Sequence, residues 1–121
     1  MTFPLSRLMS AATASYGVYA FADPRHLGRA VDPKNAAEYD LLAQTYGARD
    51  LVISSVGLFG KGRKTVTTAM VIRIACDVSD GLILAARTKD DQTRQKVLGV
   101  TLGWATLNAL ALVTDRRRAR R

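Results

Sequence analysis

The sequence predicts an all-α fold: a four-helix transmembrane bundle with a short interfacial helix after the first span. Three observations carry that expectation. Charged residues gather at 25–40, 61–64, 87–96 and 116–121, leaving long intervals nearly free of them. Four of those intervals are apolar, and a bilayer core requires about 20 such residues in a helix. Small residues recur inside them, as close helix packing in lipid requires. The averages hide this pattern, because 48% hydrophobic residues and a mean hydropathy of +0.01 are ordinary for a water-soluble domain. With 121 residues and no long linker, 1–121 is read as one membrane-embedded domain.

The first span covers about 5–22, with Arg7 placed to reach the interface along its own aliphatic stem. Ala20-Phe21-Ala22 also has the small-x-small form of a signal-peptidase site, and no acid precedes Asp23, so a cleaved leader or an import presequence is the alternative. Asp23-Pro24 and Asp32-Pro33 repeat one helix-starting device, an acid able to accept from free amides followed by a proline suited to the first turn. The helix from Pro24 is short and basic, fitting a connector at the headgroups. The helix from Pro33 is expected to run on into the second span, about 40–60.

Gly60 can end that helix and Gly62 can relax the basic turn Lys61-Gly62-Arg63-Lys64. This turn lacks the full residue order of a phosphate-binding loop. The third span, 65–86, is the longest apolar run and yet contains Arg73, Asp77 and Asp80. Residues 87–96 read as a loop, 97–114 as the fourth span, and 115–121 as a basic cytoplasmic tail. Gly99 and Gly103, continued by Ala105 and Ala109, form a small-xxx-small pattern for packing, and a homo-oligomer is compatible with it.

Four crossings put both termini and the Lys61–Lys64 turn on one side. That side holds nine basic residues against seven on the other, so the positive-inside rule places both termini in the cytoplasm of an integral membrane protein. The excess of 18 Lys and Arg over 10 Asp and Glu is then read as topology signalling and attraction to an anionic leaflet. Basic residues are neither confined to one helical face nor interleaved with aromatics, so nucleic acid is not the expected partner; the lipid bilayer is. One cysteine, Cys76, excludes an internal disulfide, and with a single histidine, His26, neither a metal site nor a cofactor is implied.

Arg73, Asp77 and Asp80 fall at i, i+4 and i+7, on one stripe of a helix. A charge facing lipid at mid-depth costs about 2.5–3.5 kcal/mol, so the stripe should face the bundle interior. Arg73 can pair with Asp77 one turn away, and Arg49 is the candidate partner for Asp80. Asp50, Tyr46, Tyr16 and Asn108 are expected to complete a polar cluster.

Tyr16-Gly17-Val18-Tyr19-Ala20-Phe21-Ala22-Asp23-Pro24, Tyr46-Gly47-Ala48-Arg49-Asp50-Leu51 and Asp77-Val78-Ser79-Asp80-Gly81 follow in an order and spacing that resemble a family of small four-helix membrane proteins, the domain of unknown function (DUF) number 4267. The resemblance implies a four-helix membrane fold and brings no settled activity. This chain is more charged between its spans than the family pattern.

Three readings of the cluster follow. In the first, Arg49, Asp50, Arg73, Asp77 and Asp80 are salt-bridged pairs that fix helix register. In the second, two carboxylates beside an arginine have their proton affinities driven apart and act as acid and base on a hydrophobic small molecule, opening an epoxide or isomerising a substrate. Asp77 and Asp80 then exchange protons, Arg49 or Arg73 positions them, and Tyr46 orients substrate or water. In the third, the stripe lines a pathway and the chain is a transport or accessory subunit.

Overall fold

The computed structural model describes residues 2–120. Arg121, counted above among the tail arginines, lies outside them. The chain forms α1 (Pro4–Ala22), α2 (Arg25–Val31), a 3-10 segment (Pro33–Tyr39), α3 (Asp40–Phe59), α4 (Arg63–Arg87) and α5 (Asp91–Ala119). It is all-α, with no strand among the described residues. At 1.5 Å per residue the four long helices extend roughly 28 to 44 Å.

The long helices pack α1 on α3, α3 on α4, α4 on α5 and α5 on α1. Polar tethers hold the end of the bundle that carries the termini. Arg7 donates from its two terminal nitrogens to the carbonyls of Leu58 (2.5 Å) and Gly60 (2.9 Å), serving the orphan acceptors at the end of α3. Asp115, buried near the end of α5, accepts from the amides of Leu5 (3.2 Å) and Ser6 (2.6 Å) in the first turn of α1. A carboxylate there satisfies free donors and meets the positive end of the helix dipole. Phe3 adopts φ 54°, unusual for a residue with a side chain, and its buried ring packs with Val66, Met70, Ala111 and Leu112.

Several sequence expectations are corrected. Asp23 and Asp32 do not cap helices through their side chains. The Asp23 carboxylate instead accepts from Arg29 (2.7 Å) and from the Tyr19 hydroxyl (3.3 Å), while that of Asp32 accepts from the Asn35 amide group (3.1 Å). The helix starting at Pro33 does not run continuously into α3: the 3-10 segment contains Asn35 at φ −121°, ψ 33°, and a separate α-helix begins at Asp40.

The polar stretch 87–96 is mostly helix, since α5 starts at Asp91. Arg94 explains the tight connection, donating to the carbonyls of Ala85 (3.2 Å) and Thr88 (2.9 Å). The Thr93 hydroxyl, 2.7 Å from the Asp90 carboxylate, holds that carboxyl below the usual carboxylate range. At the other end, α5 continues through Ala119, so the expected free tail is largely the last turn of a packed helix.

Gly60 ends α3, as expected, and Gly62 turns the chain at φ +86°, which a residue without Cβ adopts freely. Gly99 and Gly103 are exposed, and a Cβ at either would meet nothing within 4 Å. The close approach lies elsewhere. At the α1–α3 crossing, a Cβ on Gly47 would stand 2.9 Å from the Gly17 carbonyl oxygen, and one on Gly17 would stand 3.0 Å from that of Gly47.

Polar and apolar side chains share the interior, where Val66, Met70 and Leu84 are buried alongside charged groups. The buried positions include Ser6, Ser10, Thr13, Asp50, Ser54, Arg73, Asp77, Asp80, Asn108 and Asp115, whereas Phe59 (76% exposed), Leu41 (74%), Val100 (68%) and Val52 (66%) face outward. Among the described residues one helix, Asp91–Ala119, is long and apolar enough to cross a membrane by length and composition, with a mean hydropathy of 1.6 over its best 18 residues.

Candidate functional site

Five ionic side chains meet between α3 and α4 near the middle of both helices. Neighbouring Arg49 and Asp50 come from α3, and Arg73, Asp77 and Asp80 from the stripe on α4. They form one chain of contacts. Arg49 grips Asp80 with both terminal nitrogens, at 2.9 and 2.5 Å, and reaches Asp50 Oδ1 at 3.3 Å. Arg73 donates to the same Asp50 oxygen at 2.5 Å and to Asp77 Oδ1 at 2.6 Å. The two pairings expected from sequence, Arg73 with Asp77 and Arg49 with Asp80, are both present, and Asp50 joins them into a single network.

The carboxylates differ in how fully they are engaged. Both oxygens of Asp80 are held by Arg49. Asp50 uses one oxygen to bridge both arginines. Asp77 uses Oδ1 alone, while its Oδ2 is enclosed and has no hydrogen-bond partner. Three carboxylates thus share two guanidiniums; Asp50 and Asp77 each keep one oxygen outside the ion pairs, and that of Asp77 is the buried one. An unmatched buried polar atom costs on the order of 1–3 kcal/mol, which makes this oxygen a place for a further donor.

Asp50, Arg73, Asp77 and Asp80 of the network line a cavity of about 280 Å³ to which α1, α2, α3, α4 and α5 all contribute. Thr13 and Tyr16 line it from α1, Leu27 from α2, Tyr46 and Asp50 from α3, Leu84 from α4, and Val100, Thr101 and Trp104 from α5. The Arg49 guanidinium lies 4.7 Å from the centre of the Tyr46 ring, a cation–π contact. The Tyr46 hydroxyl, buried, has no partner. Leu27, Val31, Tyr39, Ala43, Tyr46 and Leu84 close the α2 end in one apolar cluster. The connector after the first span is therefore part of the chamber wall.

Tyr16 and Asn108 stand differently from the expectation. Tyr16 lines the cavity, but its hydroxyl is 2.9 Å from His26 Nε2. Because His26 Nδ1 is 2.6 Å from the Asp23 carbonyl, which can only accept, a neutral ring carries its proton on Nδ1 and accepts from Tyr16 at Nε2. Asn108 is fully buried but does not join the ionic network: its amide group donates to the Trp104 carbonyl at 2.8 Å. Asn108 drops out because it stands on α5, while the network lies between α3 and α4.

Trp104 and Thr13 were not foreseen as chamber residues. The Trp104 indole is 3.3 Å from the Thr13 hydroxyl, joining α5 to α1 across the wall. An indole N–H within an apolar helix needs an acceptor when buried, and that requirement is the readable signal.

Comparisons of the chain with protein-family models, curated proteins and solved structures find no match in any of the three. The functional reading therefore stands on this geometry.

Proposed function

We propose that the chain is a four-span membrane protein, related to the DUF number 4267 family, that admits a hydrophobic small molecule to the chamber and acts on it by acid–base chemistry. One observation carries the proposal: Asp77 and Tyr46 line one cavity together, and Asp77 Oδ2 and the Tyr46 hydroxyl are among the buried polar atoms without a protein partner. A purely architectural cluster would be expected to close its own hydrogen bonds, because an open one is less stable than an apolar core.

The chemistry follows from the unequal engagement of the acids. Asp80 is fixed by Arg49 and Asp50 by both arginines, so they position and balance charge, and Asp77 is the residue that exchanges a proton. For an epoxide, Asp77 takes a proton from water as the water oxygen bonds to a ring carbon. The carbon–oxygen bond breaks, and the Tyr46 hydroxyl delivers a proton to the ring oxygen. Net addition of one water gives a diol, and proton return from Asp77 to Tyr46 resets the site. An isomerisation uses the same pair, with removal of a proton at one atom and delivery at another.

The many exposed large apolar residues on the long helices, beside an ionic cluster buried between α3 and α4, support the membrane part of this reading. In the second reading, the network that links α3 to α4 only locks their register. The variants Asp77→Asn and Tyr46→Phe separate the two. Under the catalytic reading, cells carrying either variant accumulate a lipophilic epoxide or isomer that wild-type cells convert, while the purified variants remain folded in detergent. Unchanged metabolite profiles beside a lowered unfolding midpoint would leave the register lock as the account.

A further inference from the structure

At the terminal end of the bundle, far along α4 from the charged chamber, the first turn of α4 and the last turn of α5 enclose a second cleft of about 400 Å³. Arg63, Lys64 and Thr67 line it from α4, Arg116 from α5, and Arg120 from just beyond the end of α5. Among the described residues no carboxylate lines it. The nearest acid in sequence, Asp115, is buried and committed to the amides of Leu5 and Ser6. Among the described residues none of the four cations takes part in a salt bridge or a side-chain hydrogen bond. Four exposed cations lining one cleft repel one another, and an anion seated among them relieves that repulsion.

The surroundings say which anion. Helix α4 begins here with no side chain capping it, so its first-turn amides and the positive end of its dipole are open to a phosphate. One turn further along the same faces the helices become apolar, with Val71 and Ile72 on α4 and Val113 on α5 all exposed. A charged head beside an apolar flank is the polarity of a phospholipid. We infer that this cleft binds the phosphate of an anionic lipid headgroup, with the acyl chains lying along the outer faces of α4 and α5.

The phosphate chemistry stands whatever number of helices spans, whereas the lipid source rests on the membrane reading above. That reading fails if alkaline carbonate strips the chain from membranes; the present proposal fails in a titration. Full-length protein in neutral detergent is titrated with short-chain phosphatidic acid, with short-chain phosphatidylcholine and with inorganic phosphate, and binding is followed by native mass spectrometry. Phosphatidic acid should bind at least tenfold more tightly than either of the others. Two double variants with equal loss of charge are then compared. Arg63→Gln with Arg116→Gln should weaken phosphatidic acid binding by roughly tenfold or more, at about 1 kcal/mol per basic contact. Arg117→Gln with Arg118→Gln, which leaves the cleft intact, should change it less than about twofold. Equal weakening by the two pairs would reduce the effect to diffuse attraction and overturn the site. Inorganic phosphate binding as tightly as the lipid would overturn the lipid assignment.

Discussion

Asp115 shows how one residue can fix the relation of the two chain ends. Its carboxylate accepts from two backbone amides of α1, across a sequence separation of more than a hundred residues, and is almost fully buried. Hydrogen bonds to a charged group contribute about 1.5–3 kcal/mol each where water is excluded, so Asp115→Ala should destabilise the detergent-solubilised protein by about 2 kcal/mol or more. Asp115→Asn, which keeps one acceptor oxygen, should recover part of the loss. Denaturant unfolding followed by circular dichroism reads both, and an alanine variant as stable as wild type would show that water replaces the carboxylate at no cost. The sequence offers no local sign of this role, because Asp115 sits directly before Arg116, Arg117 and Arg118 and reads as part of a solvated tail. The chamber acids were legible for the opposite reason. Arg73, Asp77 and Asp80 interrupt the longest apolar run at helical spacing, and low dielectric forces such a stripe to find partners. What spacing alone could not show was the bridging of both arginines by Asp50 or the free oxygen on Asp77, which depend on the register of α3 against α4.

At the scale of elements, the close packing of α1 on α3 rests on small residues on both faces. Ser10, Thr13, Gly17 and Ala20 are buried on α1; Ala43, Gly47, Ser54 and Gly57 are buried on α3. Both sets follow the three-and-four spacing of one helical face. That spacing was present in the sequence, whereas the Gly99/Gly103 pair on α5, which matches the usual motif more closely, faces no other helix of this chain. Small residues mark close approach only where another helix lies against them. The contrast can be measured with single substitutions. Gly47→Val must separate two backbones that a first carbon alone would bring to 2.9 Å, so the unfolding midpoint should drop sharply, with a loss of about 2 kcal/mol or more. Gly103→Ala meets open space and should stabilise the helix by about 0.5–1 kcal/mol through the lower conformational freedom of the unfolded chain. Reversal of that order would show that the exposed face of α5 is packed against another molecule. Helix ends were less legible than helix centres. The turn at Gly60 and Gly62 announced itself through two glycines, but the start of α5 was concealed within a charged stretch in which Asp91 already belongs to the helix and Arg94 ties its first turn back to Ala85 and Thr88.

The whole molecule poses one question that hydropathy averages answer badly. A window along a helix counts every residue alike, whereas a bundle turns its charges inward and presents leucine, valine and phenylalanine outward. Helix α5 passes the average because its inner face carries few charges, and α4 falls short because Arg73, Asp77 and Asp80 lie within its central turns. If exposure rather than average composition governs insertion, all four long helices cross. The Lys61 turn and Lys89 then lie on opposite sides of the membrane, joined by α4. If α5 crosses alone, everything before it remains on one side, and the two positions share an environment. Single-cysteine variants Lys61→Cys and Lys89→Cys, made on a Cys76→Ala background, distinguish these cases through labelling of sealed vesicles with a membrane-impermeant maleimide. Four crossings predict that one position labels in intact vesicles and the other only after permeabilisation, with Arg120→Cys following Lys61→Cys because both stand at the terminal end of the bundle. Labelling of both Lys61→Cys and Lys89→Cys from one side, with Arg120→Cys protected, would leave a single crossing. The chamber would then open to water, and a hydrophobic substrate would have no lipid route into it.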